Sequence, residues 1–105
     1  MNIGQALKSI RKQTGMTQQE LSVRTGITQA SLSQIESGAK RPSQKNFKKI
    51  CEILDIPETV VYILAMEETD VPDTKKEIYS MLFPSIKNLA LEIVGKEYGE
   101  IGLKK

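Results

Sequence analysis

Two tripeptides of the form Gly-Xaa-Thr, at residues 15–17 and 26–28, constrain the fold of this chain more than any other feature. Glycine readily adopts the left-handed backbone conformation that ends an α-helix at its first outside residue. The threonine two positions later caps the next helix, because its side-chain oxygen accepts a hydrogen bond from a free backbone N–H. Each tripeptide therefore ends one helix and begins another. The pattern predicts a short helix over 18–25, a tight turn, and a second helix over 29–37.

The first of these predicted caps is reinforced by the residues that follow it. Thr17 has Glu20 three positions later, which is the spacing of a capping box, in which each side chain bonds the other residue's backbone N–H. Two short helices held at a fixed angle are a poor frame for a catalytic pocket. They are well suited to presenting one helix to the major groove of double-stranded DNA.

Periodicity and chain breakers predict four further helices and no strands, so the expected fold class is all-α. Apolar residues at helical spacing indicate helix 1 over 3–13, and helices 4 and 5 are predicted over 44–54 and 58–66. Residues 74–94 carry a long apolar pattern of the same period. Pro84 lies inside that pattern and predicts a kink or a break there, since proline removes a backbone hydrogen bond.

This organisation divides the chain into three expected segments. Residues 1–66 form a five-helix body, residues 67–73 an acidic linker, and residues 74–105 a helical dimerisation segment whose tail is frayed from Gly95 onward. The apolar pattern of the third segment is too regular to face water on an isolated helix. Three arrangements are open: folding back on the body, covering a mate in a homodimer, or binding another protein through residues 67–94.

Composition excludes several classes of function. The 105 residues include one cysteine and no histidine, which rules out a disulfide framework, a zinc finger and catalysis by a histidine base. No apolar run reaches the roughly 18 residues that a membrane span needs, and the N-terminus lacks the pattern of a signal peptide. No nucleophile–base pair, acid pair or glycine-rich loop stands out, so we expect no enzyme activity, no metal and no cofactor. The expected location is the cytoplasm, away from membranes.

The charge of the chain is unevenly distributed. Residues 1–66 contain nine Lys and Arg against five Asp and Glu, whereas residues 67–105 contain six against eight. The basic excess accompanies the predicted helix pair, as the electrostatic footprint of a DNA-binding surface would. The net charge of the whole chain, +2, is too small to indicate a partner by itself.

Several motifs between residues 17 and 43 occur together in a known family: Thr-Gln-Gln-Glu-Leu at 17–21, Gly-Ile-Thr-Gln at 26–29, Leu-Ser-Gln-Ile-Glu-Ser-Gly at 32–38 and Lys-Arg-Pro-Ser at 40–43. In this combination the chain resembles the helix-turn-helix of the Cro and phage-repressor type, over about residues 3–66. The resemblance implies a five-helix, lambda-repressor-like DNA-binding domain. Ser22 departs from the family, which usually has alanine at this close helix contact, although serine is small enough to fit.

The resemblance also implies roles for individual positions, with helix 3 as the recognition helix. The residues implied to contact bases are Gln29, Ala30, Ser31 and Gln34. The residues implied to contact phosphates are Gln18, Arg11, Lys40, Arg41, Ser43, Lys45 and Asn46. The chemistry is reasonable, because a glutamine amide matches the donor and acceptor of adenine and an alanine methyl can touch that of thymine.

An ion pair between Arg11 and Glu36 is a further implication of the resemblance. Two interpretations are open: Arg11 also reaches a phosphate, or the pair is purely structural and fixes helix 1 against helix 3. Such a pair is weak evidence of stability, because desolvation can cancel the attraction between its charges.

The function expected from these features is that of a sequence-specific transcriptional regulator, a repressor that binds a near-palindromic operator as a homodimer. An alternative is the antitoxin of a toxin–antitoxin pair, which would autoregulate through the same domain and bind a toxin with the helix at 74–94 or the acidic segment. A third interpretation is a DNA-binding subunit whose tail recruits another factor.

Overall fold

The chain folds into six α-helices in this computed structural model, which describes residues 1–96. The helices are α1 (Ile3–Gln13), α2 (Gln18–Thr25), α3 (Gln29–Ser37), α4 (Gln44–Leu54), α5 (Glu58–Ala65) and α6 (Lys76–Lys96). Two short 3-10 turns, Glu68–Asp70 and Asp73–Lys75, connect α5 to α6. The described residues contain no strand. The predicted all-α class is confirmed, and the predicted bounds of the first four helices agree with those of the structure.

The bounds of α2 follow from the caps that the sequence predicts. Thr17 Oγ1 accepts a hydrogen bond from the Glu20 N–H at 3.0 Å, and Glu20 Oε1 accepts one from the Thr17 N–H at 2.8 Å. This reciprocal pair is the predicted capping box. At the other end of α2, Gly26 has a φ of +77°, a left-handed geometry that strains any residue with a Cβ atom. The turn between α2 and α3 is therefore specified by its own residues.

The hydrophobic core gathers side chains from all of the first five helices. Its most deeply buried members are Leu7, Ile10, Leu21, Leu32, Ile35, Ile50, Leu54 and Val61. α1 packs against both α5 and α3, while α2 packs against α4 and α3. This arrangement holds α2 and α3 as a pair with one side in the core and the other side in solvent.

The contact between α1 and α3 is closest at Gly4. A Cβ atom at this position would collide with the carbonyl oxygen of Ile35 and would lie 3.0 Å from that of Glu36. Glycine is required here, because both obstacles are backbone atoms that cannot rotate away. The contact fixes the C-terminal half of α3 against α1.

The acidic segment 67–73 follows a defined path and makes contacts with the start of the chain. The N-terminal ammonium of Met1 donates hydrogen bonds to Asp70 Oδ1 at 2.9 Å and to Glu67 Oε1 at 2.8 Å. These bonds raise the pKa of the ammonium group and lower the pKa of the Asp70 carboxyl. Val71 is buried. The segment that the sequence predicts as a linker is thus ordered by ion pairs and by one apolar side chain.

α6 runs through Pro84 as one continuous helix, so the proline does not break it. Proline leaves the carbonyl of Ser80, four residues earlier, without its helical partner. Both residues are exposed, and water can bond that carbonyl. The tail predicted to fray from Gly95 onward is helical as far as Lys96, and its remainder lies outside the described residues. Neither α6 nor any other helix of the described part combines the length and apolarity that a membrane crossing requires.

One face of α6 folds back on the body of the protein. Ala90 and Val94 are each 2% exposed and join the core cluster where α6 meets α5 and α1. The neighbouring face is uncovered, with Ile78 and Leu82 each 54% exposed and Leu89 62% exposed. α6 therefore realises the first of the three predicted arrangements on one face and leaves a second apolar face in solvent.

Candidate nucleic-acid interface

The outward face of α3 carries only uncharged side chains. Gln29, Ala30, Ser33 and Gln34 are exposed there, while the opposite side of the helix lies in the core. Three of these four belong to the set predicted to contact bases. Ser31, the remaining member of that set, is half-buried, and its backbone N–H donates to the capping threonine of α3 at 3.1 Å.

Side-chain hydrogen bonds fix the turn that sets the angle between α2 and α3. Ser22 Oγ donates to the carbonyl oxygen of Ile27 at 2.6 Å. Thr25 Oγ1 donates to the carbonyl oxygen of Leu21 at 2.7 Å and accepts from the Ile27 N–H at 3.2 Å. The serine that departs from the usual alanine of the family thus adds a bond across the turn and leaves the geometry intact.

A buried polar network joins the first three helices. Arg11 Nε donates to Glu36 Oε2 at 2.7 Å and Arg11 Nη2 to Glu36 Oε1 at 3.0 Å, which is the bidentate geometry of a strong pair. Arg11 Nη1 donates to the carbonyl oxygen of Met16 at 2.8 Å, and Gln18 Nε2 donates to Glu36 Oε1 at 3.1 Å. The predicted ion pair between α1 and α3 is confirmed, and α2 is bonded to it as well.

This network bears on two of the predicted phosphate contacts. Arg11 is 7% exposed, and each of its three side-chain nitrogens already donates to the protein. The geometry favours the structural interpretation of the pair, and a phosphate contact by Arg11 stays a prediction. Gln18, the half-buried first residue of α2, gives one of its two amide N–H bonds to Glu36, and its phosphate contact also stays a prediction.

The loop after α3 brings exposed cations to the C-terminal end of that helix. Lys40 and Arg41 are exposed, and the Lys40 N–H donates to a carbonyl of α3 at 3.1 Å. Ser43 Oγ accepts from the Asn46 N–H at 3.1 Å and so caps α4, while Lys45 is exposed in its first turn. The first N–H groups of a helix lack helical partners and favour an anion. The loop and the start of α4 form a surface suited to phosphate.

The helix-turn-helix family model matches residues 7–61, just over half of the chain. The chain belongs to the helix-turn-helix family. The matched helix-turn-helix region contains every residue predicted to contact bases or phosphates. α6 begins at Lys76, after the last matched residue.

Similar curated proteins include regulators and an antitoxin. The transcriptional regulator ClgR of Mycobacterium tuberculosis is 37% identical over 65 residues, which cover 62% of this chain and 58% of ClgR. The antitoxin HipB of Escherichia coli is 36% identical over 58 residues, which cover 55% of this chain and 62% of HipB. The uncharacterised HTH-type transcriptional regulator y4dL of Sinorhizobium fredii is 38% identical over 55 residues, 52% of this chain and 28% of y4dL. In each case the match spans less than two thirds of the relative.

Ser33 is an exposed position of the helix-turn-helix that the sequence reasoning missed. It lies four residues after Gln29, so the two side chains are neighbours on one line of α3. The signal was present in the helical period, because the buried Leu32 and Ile35 determine which positions point outward. Its hydroxyl can donate or accept, which suits either a base edge or a phosphate.

Both acidic residues of the helix pair are engaged in internal hydrogen bonds. Glu20 closes the capping box, and the hydrogen bond from the Thr17 backbone N–H lowers the pKa of its carboxyl. Glu36 is held by Arg11 and Gln18. Glu36 is thus buried and paired, whereas Glu20 is exposed and its lowered pKa keeps it ionised at the start of α2.

Proposed function

We propose that this chain is a sequence-specific DNA-binding regulator of transcription, and that it acts in the cytoplasm as a repressor. One observation carries the proposal: the exposed, uncharged face of α3 is followed by exposed Lys40 and Arg41 on a helix-turn-helix frame. Neutral polar groups read base edges, while flanking cations neutralise phosphates and set the register on the duplex. A protein bound across a promoter in this way represses by excluding polymerase.

The proposal assigns residues to two kinds of contact. The base contacts are Gln29, Ala30, Ser31 and Gln34, to which the exposure of Ser33 adds a fifth position. The phosphate contacts are Gln18, Lys40, Arg41, Ser43, Lys45 and Asn46, with Arg11 in the structural role described above. Apart from Arg11 of α1, these residues lie on α2, α3, the loop after α3 and the start of α4.

A homodimer formed through α6 is part of the proposal. Five of the exposed apolar residues of this helix follow one another at helical spacing and are called the α6 stripe below: Ile78, Leu82, Ile86, Leu89 and Ile93. Large exposed apolar surfaces on a folded protein mark sites of interaction. The first half of the α6 stripe borders an apolar groove of about 400 Å³, lined also by Ile63, Met66 and Val71. A two-fold mate would cover both, since each copy in such a dimer offers the same surface.

The requirements of DNA recognition support a dimer independently. One recognition helix reads only a few base pairs, which is too short a sequence to define a site in a genome. A two-fold dimer doubles the sequence that is read. It requires a near-palindromic operator with half-sites about 34–36 Å apart, or a multiple of that distance.

Two single substitutions test the assignment when binding is measured on the preferred site and on unrelated DNA. Gln29→Ala is expected to lose about 1–3 kcal/mol on the preferred site and little on unrelated DNA, because it removes a base contact. Arg41→Ala is expected to weaken binding to every sequence and to flatten the salt dependence, because it removes a phosphate contact.

The control is Gln13→Ala, which removes an exposed glutamine of α1 outside the helix pair and should leave both affinities unchanged. If Gln29→Ala binds the preferred site as tightly as the parent chain, the assignment of α3 as the recognition helix is wrong.

An antitoxin is the second candidate, favoured by the 36% identity to the antitoxin HipB. In that case α3 would bind the promoter of the chain's own gene, and the α6 stripe or the acidic segment would bind a toxin. Expression of the adjacent gene with and without this chain tests the alternative through cell growth. Toxicity that the parent chain relieves and Leu89→Glu does not would favour the antitoxin. An adjacent product without toxicity would leave the repressor as the better assignment.

A further inference from the structure

The two halves of the α6 stripe have different surroundings. The first half, as far as Ile86, borders the apolar groove, whose other walls come from the end of α5 and the segment that follows it. The second half, Leu89 and Ile93, lies beyond the residues that line the groove. There the small neighbours Ala90 and Val94 bring α6 directly onto the body. One half of the stripe therefore adjoins a cavity, and the other half faces solvent beside a closed contact.

The order of residue types in the α6 stripe is the same from both ends: Ile, Leu, Ile, Leu, Ile. Ile78 and Ile93 are equally far from the midpoint between residues 85 and 86, and so are Leu82 and Leu89. Ile78 and Leu89 are also eleven residues apart, as are Leu82 and Ile93. A repeat of eleven corresponds to 3.67 residues per turn, close to the 3.6 of a straight α-helix. The stripe can therefore match a second straight helix along its whole length.

We infer that α6 pairs with α6 of the mate in antiparallel orientation, and that Leu89 and Ile93 of each copy fill the apolar groove of the other. The inference rests on the proposed function, to whose homodimer it adds an orientation and a register. In an antiparallel pair centred between residues 85 and 86, Ile78 lies opposite the mate's Ile93, and Leu82 lies opposite the mate's Leu89. The half of the stripe that adjoins a cavity then receives the half that has none, twice over by symmetry.

A parallel mate would fit this surface less well, for reasons of shape and of charge. Each residue of the stripe would then face its own copy, so groove would lie against groove and both cavities would stay unfilled. The acidic segments of the two copies would also meet at the same end of the helix pair. Residues 67–77 hold five carboxylates against two lysines and the N-terminal ammonium, and like net charges repel. The antiparallel arrangement places these segments at opposite ends.

Cross-linking of cysteine variants of the full chain, co-expressed with tags of different length, tests the orientation. Ile78→Cys and Ile93→Cys change side chains that are 54% and 46% exposed, so both variants should fold. In the antiparallel pair each residue is about 22 Å along the helix axis from its own copy, so a short bifunctional thiol reagent should link the mixed pair about 10-fold faster than either variant alone. The parent chain controls for the buried Cys51, and Asn88→Cys, exposed off the α6 stripe, is the matched control; neither should be linked.

Failure of this inference is distinguishable from failure of the proposed function. Rapid linking of each variant to itself, with no gain in the mixture, would show a parallel mate and leave the homodimer in place. No linking in any sample, from a parent chain that sediments as a dimer, would place the interface outside α6 and overturn the inference. A parent chain that sediments as a monomer would overturn the homodimer as well, whereas the DNA contacts of α3 are tested separately by Gln29→Ala.

Discussion

The body formed by α1 to α5 and the C-terminal helix α6 carry similar apolar periodicity but reach different environments. In the body, Leu7, Ile10 and Leu32 are at most 2% exposed, whereas Leu82 and Leu89 of α6 are more than half exposed. The five helices of the body close a core around one another, and α6 finds only a line of contact along α5 and α1. Amphipathic periodicity thus predicts which side of a helix is apolar, but not what covers that side.

The same contrast occurs between adjacent residues within α6. Ala90 and Val94 face the body and are buried, while their neighbours Leu89 and Ile93 face solvent. Burial of apolar area contributes roughly 25 cal/mol per Å², so the small side chains contribute less than the large ones would. The larger share of the apolar surface of α6 is on the face that the body leaves uncovered, as expected of a helix with a second partner.

The largest effect is expected from a substitution on the exposed apolar face of α6, which should change both the oligomeric state and the affinity for DNA. Leu89→Glu places a charge in the middle of the α6 stripe and should convert a dimer into a monomer. Operator affinity should then fall about 100-fold or more, because the second half-site no longer binds at the effective concentration that a dimer supplies. Helix content should be unchanged, since Leu89 is 62% exposed and lies outside the core cluster. Sedimentation, circular dichroism and DNA binding measure the three quantities.

Asn88→Glu is the matched control for that experiment, because it adds the same charge one residue earlier at an exposed position off the α6 stripe. It should stay dimeric. A Leu89→Glu chain that still sediments as a dimer would move the interface into residues 1–66 and assign the α6 stripe to another partner.

A smaller effect, on the free energy of unfolding, is expected from substituting one glycine in the body and one in α6. Gly4→Ala should destabilise the protein by about 1–3 kcal/mol or more, because its Cβ meets backbone carbonyls of α3. Gly95→Ala has open space, with Gln13 Nε2 at 4.0 Å as its nearest neighbour, and should stabilise α6 by up to about 1 kcal/mol. Denaturant unfolding measures both. Equal stabilities for the two variants would contradict the close approach of α1 to α3.

The smallest expected effect concerns Cys51 in the body. Burial, with a minor contribution from Glu58, raises the pKa of its thiol to about 12 from an ordinary value near 9. At neutral pH the folded thiol should therefore react negligibly with an alkylating reagent and should react at once after unfolding. Its contribution to stability is complete below about pH 9 and is lost as the pH rises toward 12, because the unfolded thiol ionises first. Rapid labelling of the native protein at neutral pH would show that the body opens there.

Local chemistry explains why the body could be predicted from the sequence. Thr17, Gly26 and Ser43 determine where helices begin and end through bonds that span only a few residues. Such local signals can be recognised in the sequence without knowledge of the tertiary structure. The bounds and the helical period of α3 predict which of its side chains point outward, whereas the base-contact set was implied by the family resemblance and stays a prediction.

The features that could not be predicted depend on residues distant in sequence. The ion pairs of Met1 with Glu67 and Asp70 hold residues 67–73 in place, although the composition of this segment is typical of a linker. The contact that buries Ala90 and Val94 depends on the shape of a surface made by α1 and α5. Neither contact produces a periodic pattern in the sequence. The sequence therefore left three arrangements open for the C-terminal helix, of which packing against the body was one.

The network around Glu36 has a consequence for the affinity of the protein for DNA of any sequence. A free carboxylate in the last turn of α3 would repel phosphates at every sequence and would weaken non-specific association as well as recognition. Arg11 and Gln18 occupy both of its oxygens from within the protein. Arg11 can thus influence DNA binding without leaving the interior, by hiding a negative charge from a negatively charged partner. The charge that α3 exposes to solvent therefore depends on Arg11 of α1, which pairs with the carboxylate of Glu36.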